Sequence, residues 1–198
     1  MIRLLSLFAL TALLSLTPAR ANATTITYTA FLDGASENPV NASPGTGFAT
    51  VIIDDVANTM EVIVSFQNLL GTTTASHIHC CALPPNTAMV ATTTPTFPGF
   101  PLGVTSGSYD QTFNLLLASS YNPAFVTAHG GTVAQAEADL LAGLATDQAY
   151  LNIHSSFRPG GEIRGFLTPV PEPASLLLLG SGLAGAGLRR WQKRRRLA

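Results

Sequence analysis

The chain has 198 residues with a formal net charge of −1, but its charges are segregated by position. Of ten basic residues, Arg3 and Arg20 lie near the start and six lie in the last ten residues, leaving Arg158 and Arg164 in the body against ten acids between Asp33 and Glu162. A body with a net charge of −8 and no lysine repels phosphate backbones, which excludes nucleic acid as a partner.

Residues 1–23 place one arginine before an apolar run from Leu4 to Leu16, then Pro18 and small residues ending Ala21-Asn22-Ala23. This is the plan of a secretory signal peptide with an A-x-A site, so signal peptidase is expected to cut after Ala23, with Ala21 and Ala23 as the recognised small residues. The alternative is an uncleaved anchor, for which the apolar run is short.

The body, residues 24–169, reads as one domain of strand-forming residues and turns. Ile26, Tyr28, Ala30 and Leu32 alternate with Thr27, Thr29 and Phe31, which predicts a first strand ended by Asp33-Gly34. A second strand is expected over Phe48–Ile53. A third has the cleanest period of two, with Met60, Val62, Val64 and Phe66 on one face, joined to the second by a hairpin connection at 56–59. Ala75–Cys80 is a fourth. Pro84–Gly103 is rich in Pro and Thr and reads as a long loop with a short strand at Ala88–Thr92. Tyr109, Gln111, Phe113 and Leu115 mark another strand. Thr132–Leu144 breaks the pattern: Thr132 and Gln135 form a capping box, and Val133, Ala136, Leu140, Leu141 and Leu144 share a helical face. Ala149–His154 and Glu162–Leu167 are the last strands, joined by a turn at Arg158-Pro159-Gly160-Gly161. The expected fold class is mainly β, an antiparallel β-sandwich of seven or eight strands with one inserted α-helix.

Residues 170–198 form a third segment. Val170-Pro171-Glu172-Pro173 precedes fifteen apolar or small residues, Ala174–Leu188, and then RRWQKRRR. Fifteen helical residues rise about 22 Å, short of the roughly 30 Å hydrocarbon core. Interfacial Trp191 and snorkelling arginines extend the reach, and the cations resist translocation, leaving the body outside the inner membrane and the tail inside. These three parts in order resemble the PEP-CTERM sorting signal of Gram-negative bacteria. The resemblance implies an exosortase-type protease as a partner, Pro171, Glu172 and Pro173 as its recognition tripeptide, and release to the cell surface or an exopolysaccharide matrix. A plain weak anchor is the alternative.

The body resembles a family too. Phe31-Leu32-Asp33-Gly34-Ala35-Ser36-Glu37-Asn38-Pro39, His77-Ile78-His79, Tyr150-Leu151-Asn152-Ile153-His154 and Pro159-Gly160-Gly161-Glu162-Ile163-Arg164-Gly165 are similar, in that order, to blocks of the CHRD domain first described in chordin. In the animal protein the domain belongs to an antagonist that binds a growth factor. The resemblance implies a fold and carries no bacterial activity with it.

Chemistry is concentrated in few residues. Alternation puts His77 and His79 on one strand face with Ile78 on the other, and His154 on the face opposite Leu151 and Ile153. If the two strands are neighbours, three imidazoles converge, a donor set that suits Zn²⁺ or Cu²⁺. The pattern is similar to copper–zinc superoxide dismutase, another β-sandwich. The plainer reading is buried imidazoles bonded to backbone or to Glu162 and Arg164. Ring nitrogens within about 3–4 Å of one another would favour a site, and separations beyond roughly 6 Å would end it.

Cys80 and Cys81 have three readings: a vicinal disulfide, thiols directed at a metal beside His79, or small core residues. Glu162 and Arg164 share one strand face, and a structural role is favoured for them, as an ion pair or with Arg164 tying the last strand to Asp33 or Glu37; the alternative has Glu162 orienting a histidine. His129, beside Gly130-Gly131, reads as solvated. No Ser-His-Asp order, phosphate loop or carboxylate pair stands out, so an enzyme is the less favoured class. Two functions remain: a surface or matrix protein that binds polysaccharide or another protein, and a Cu- or Zn-binding protein or redox enzyme built on the three histidines.

Overall fold

A computed structural model describes residues 25–171. The signal segment with Ala21 and Ala23, and Glu172, Pro173 and the 174–188 segment, lie outside the described residues, whereas Pro171 is the last of them and is exposed.

The strand-forming sequence is used in one continuous, curled, fully antiparallel sheet. In chain order the strands are β1 (Thr25–Asp33), β2 (Thr46–Asp54), β3 (Thr59–Gln67), β4 (Thr73–Cys80), β5 (Met89–Val90), β6 (Gly107–Asn114), β7 (Ala149–Ser155), β8 (Ile163–Phe166) and β9 (Thr168–Pro169). Their spatial order is β5-β4-β7-β8-β1-β2-β3-β6, with β9 pairing β1. The first three strands pair along their whole length, Thr25 opposite Asp54 and Thr46 opposite Gln67, because the hairpins between them keep the period-two pattern in phase.

Alternation then fills one core. Tyr28, Ala30 and Leu32 of β1, Met60, Val62, Val64 and Phe66 of β3, and Ile78, Leu151 and Ile153 of β4 and β7 all belong to it. Phe97 joins the two arms of the sheet. Its ring stacks on Tyr109 of β6 at 5.8 Å, while its N–H donates to the Ser76 carbonyl of β4. Ile26, at the free start of β1, departs from the expected inner face and is exposed.

The helical content exceeds the single helix expected. α1 (Pro123–Ala128) and α2 (Val133–Ala145) follow a 3-10 turn at Ala118–Ser120. Asn122 caps α1, its side chain accepting from the Ala124 N–H, and Pro123 occupies a first-turn position where no amide hydrogen is needed. α2 begins as its capping residue requires, with Thr132 Oγ1 accepting from Gln135 N at 3.2 Å. The other half of the box does not form, because the Gln135 amide donates to Asp139 Oδ1 instead. No helix among the described residues is long and apolar enough to cross a membrane.

Candidate metal centre

β4 and β7 are neighbours, with His77 opposite Asn152, His79 opposite Tyr150 and Ala75 opposite His154. Ile78, Leu151 and Ile153 turn into the core with no exposure, so alternation sends all three histidines to the other face. That face is covered as well. The chain after β4 folds back over it, and the turn at 158–161 closes one end, so His77 and His79 are 6% and 8% exposed.

Each imidazole is oriented by a backbone carbonyl. His77 Nε2 faces Pro95 O at 2.6 Å, His79 Nδ1 faces Ala88 O at 2.9 Å, and His154 Nδ1 faces Pro159 O at 2.8 Å. A carbonyl only accepts, so the nitrogen facing it carries the hydrogen and the other nitrogen of a neutral ring presents a lone pair. Those other nitrogens, His77 Nδ1, His79 Nε2 and His154 Nε2, are buried and have no hydrogen-bond partner.

One ring nitrogen from each histidine lies within 4.8 Å of the others. That falls between the two limits set from the sequence. Metal–imidazole bonds of about 2.0–2.1 Å require each ring to close in by about 0.7 Å.

Charge favours the neutral donors. Burial, together with the charges of His154, His77 and Arg164, pushes His79 down to about 4 in spite of its bond to Ala88. Burial also lowers His77 and His154. The rings are therefore unprotonated at neutral pH, the state a metal needs.

Behind the imidazoles the packing is aromatic and cationic. Tyr150 lies parallel to His79 at 4.8 Å, and the Arg164 guanidinium sits 4.8 Å from the Tyr150 ring. Arg164 is fully buried and donates to three carbonyls: Ser36 through Nε at 2.5 Å, Pro85 through Nη2 at 2.7 Å and Asn86 through Nη1 at 3.5 Å. Of the two acids considered for it, Glu37 is the nearer ion-pair partner, at 3.9 Å. Asp33 instead accepts from the Ser36 amide. Glu37 keeps one buried oxygen unpartnered, and burial holds its carboxyl up at about 7 although Arg164 pulls it down.

Glu162 does not orient a histidine. It precedes β8, in a turn where strand parity no longer applies, and its carboxylate is used up by Ser43 Oγ, the amides of Leu70 and Gly71, and Ser155 Oγ. It ties loops together. His129 is not simply solvated either: its ring packs at a tilt against Phe125, centroids 4.0 Å apart, and its Nδ1 bonds Asp139 Oδ2 at 2.7 Å, away from the three-histidine group. Cys80 and Cys81 are joined to each other at the end of β4.

Alternation places Tyr150 and Asn152 on the face of His154 but assigns them no role: Asn152 Oδ1 is a further buried acceptor without a partner, and Tyr150 is the platform beneath His79. Their only signal was alternation in phase with His154.

The fold and this face define a class: an antiparallel β domain carrying a covered cluster of three histidines on the side of its sheet opposite the core. The CHRD domain model matches residues 28–167, and the chain belongs to that family. The PEP-CTERM protein-sorting motif matches residues 169–195, which makes this an exported, sorted protein. No curated protein and no solved structure matches the chain.

Proposed function

We propose that this exported CHRD protein binds one divalent transition-metal ion, Cu²⁺ or Zn²⁺, through His77, His79 and His154. The observation that carries the reading is the set of three carbonyl-oriented imidazoles, His77 and His79 buried and His154 half-buried, whose other ring nitrogens are buried without a partner. Burying such acceptors without a partner is unfavourable, and an electron-pair acceptor at their centre removes that penalty. Three imidazoles leave a coordination position open, where the metal would supply Lewis acidity or, for copper, a one-electron couple. The residues' own part is to hold three neutral donors and to keep bulk water off them.

The sorting motif supports an exosortase-type protease as processing partner, with 174–188 as a transient inner-membrane segment and Pro171, Glu172 and Pro173 as the recognised site. It likewise supports a destination at the cell surface or in exopolysaccharide, where the domain would act as a metal-loaded surface protein.

The test is metal loading of the purified full chain. After exposure to Cu²⁺ or Zn²⁺ and desalting, elemental analysis should find one equivalent, and the Cu²⁺ form should show nitrogen couplings from imidazole in its electron paramagnetic resonance spectrum. The His77→Ala, His79→Ala and His154→Ala variants should lose it, while His129→Ala should keep it. Full retention in the triple variant would refute the site.

A further inference from the structure

A second chemical centre lies at the far end of β4. We infer that the Cys80–Cys81 disulfide is redox-active, exchanging with an external dithiol at Cys81 while His129 handles the proton. The bridge closes a loop of two residues, so it gains almost nothing from restricting the unfolded chain and is a poor staple. The surroundings are shaped to it. α2 crosses directly above, and a Cβ at Gly143 would collide with Cys80 Sγ, so glycine is what lets the helix pass. The Asp139 carbonyl oxygen touches both sulfurs, at 3.9 and 3.6 Å.

The two sulfurs differ in access. Cys80 is 1% exposed, whereas Cys81 is only partly buried and lines a surface cavity of about 380 Å³ together with His129, Asp139, Gly143 and Thr146. On that wall the Asp139 carboxylate accepts from His129 Nδ1, which fixes the ring and leaves Nε2 free to take a proton. An attackable sulfur, a concave approach and an oriented base thus share one cavity.

The step balances as a two-electron exchange. The thiol of an exported dithiol reductant gives its proton to His129 as its sulfur bonds Cys81 Sγ. The Cys80–Cys81 bond breaks with its electron pair on Cys80 Sγ, which takes a proton from water. The second thiol gives its proton to the hydroxide that this leaves, attacks the outer sulfur of the mixed disulfide and releases Cys81, which His129 protonates. The dithiol leaves oxidised and the protein holds two thiols.

The experiment uses the folded full chain in chelator, so that metal binding plays no part, with dithiothreitol as probe and mass spectrometry after alkylation. The bridge should reduce without denaturant, and glutathione disulfide should add to Cys81 in the Cys80→Ser variant but not to Cys80 in the Cys81→Ser variant. His129→Ala should react at least 10-fold more slowly with its circular dichroism unchanged, and free imidazole should restore the rate. His129→Gln, which fills the space, should be equally slow without rescue. Reduction only in denaturant, adducts on Cys80, or wild-type rates in both His129 variants would overturn the inference.

Discussion

Replacing Glu37 by Gln in the metal-free protein should leave stability unchanged near pH 4 and raise it near pH 8. Glu37 is 5% exposed, and burial lifts its carboxyl from 4.5 to about 7 even though Arg164 acts the other way. At 1.36 kcal/mol for each tenfold change in proton affinity, that displacement corresponds to about 3 kcal/mol. The folded chain binds this proton more tightly than the unfolded chain. The contribution of Glu37 is therefore fully present below about pH 4.5 and lost as pH rises through about 7. His79 runs in the opposite sense. Its folded value of about 4 lies below 6.5, so its contribution is present above pH 6.5 and lost as pH falls through 4. His77 and His154, also lowered by burial, add to the His79 effect. In the wild type Glu37 masks part of the histidine slope between these limits, and in Glu37→Gln the slope is unmasked. Urea unfolding of the full chain in chelator, followed by circular dichroism across this range, should show the gap between the two proteins growing to about 3 kcal/mol, a figure that already includes the attraction to Arg164. A variant less stable than wild type near pH 8 would show that the carboxylate is ionised and gains more from Arg164 than it loses by burial.

Three further outcomes follow from the same geometry. Cu²⁺ or Zn²⁺ at about 100 times its dissociation constant should add about 2.7 kcal/mol to wild-type unfolding and nothing to His154→Ala, read as a melting-temperature shift with and without metal. Arg164→Met should cost about 3–5 kcal/mol in urea unfolding, because it strands Glu37 and the carbonyls of Ser36, Pro85 and Asn86 in a buried space. Arg164→Lys should recover little of this, since an ammonium lacks the planar fork that reaches three acceptors. Gly143→Ala should lose about 1–3 kcal/mol through collision with Cys80 Sγ, and pairing it with Cys80→Ala should restore most of the loss.

What alternation governs was legible, and what long-range closure governs was not. Met60 to Phe66 gave β3 directly, and His77-Ile78-His79 gave the shared face of two imidazoles from the period of a strand. The adjacency of β4 and β7, separated by some seventy residues, has no local cause and entered only as a condition. The carbonyls that orient the rings come from Ala88, Pro95 and Pro159, in loops without a period, where a backbone oxygen leaves no mark on the sequence. The loop-tying role of Glu162 could not be read in detail, because parity was carried one residue beyond the strand into a turn and its partners Ser43, Leu70, Gly71 and Ser155 are distant in sequence or in loops. α1, with six residues, is too short for a helical period, although Asn122-Pro123 was a readable cap and first turn.

The five buried side-chain atoms without partners among the described residues are His77 Nδ1, His79 Nε2, His154 Nε2, Asn152 Oδ1 and Glu37 Oε1. The three imidazole nitrogens and Asn152 Oδ1 are acceptors. A domain that merely packed imperfectly would leave donors and acceptors stranded in several places, whereas here the shortage is of one sign. Asn152 links the group, lying opposite His77 on one side and Arg164 on the other, and its amide and Glu37 Oε1 both crowd the space a side chain at Gly161 would fill. Arg164 is held in place by carbonyl bonds from Nε, Nη1 and Nη2 and by Tyr150 and Phe166 against its plane, and it makes no hydrogen bond to these acceptors. Protonating the imidazoles would relieve it, but burial opposes that at neutral pH. Under the proposed metal reading, a cation would take the three nitrogen lone pairs, and a water on it would offer hydrogens to Asn152 Oδ1, which lies opposite His77.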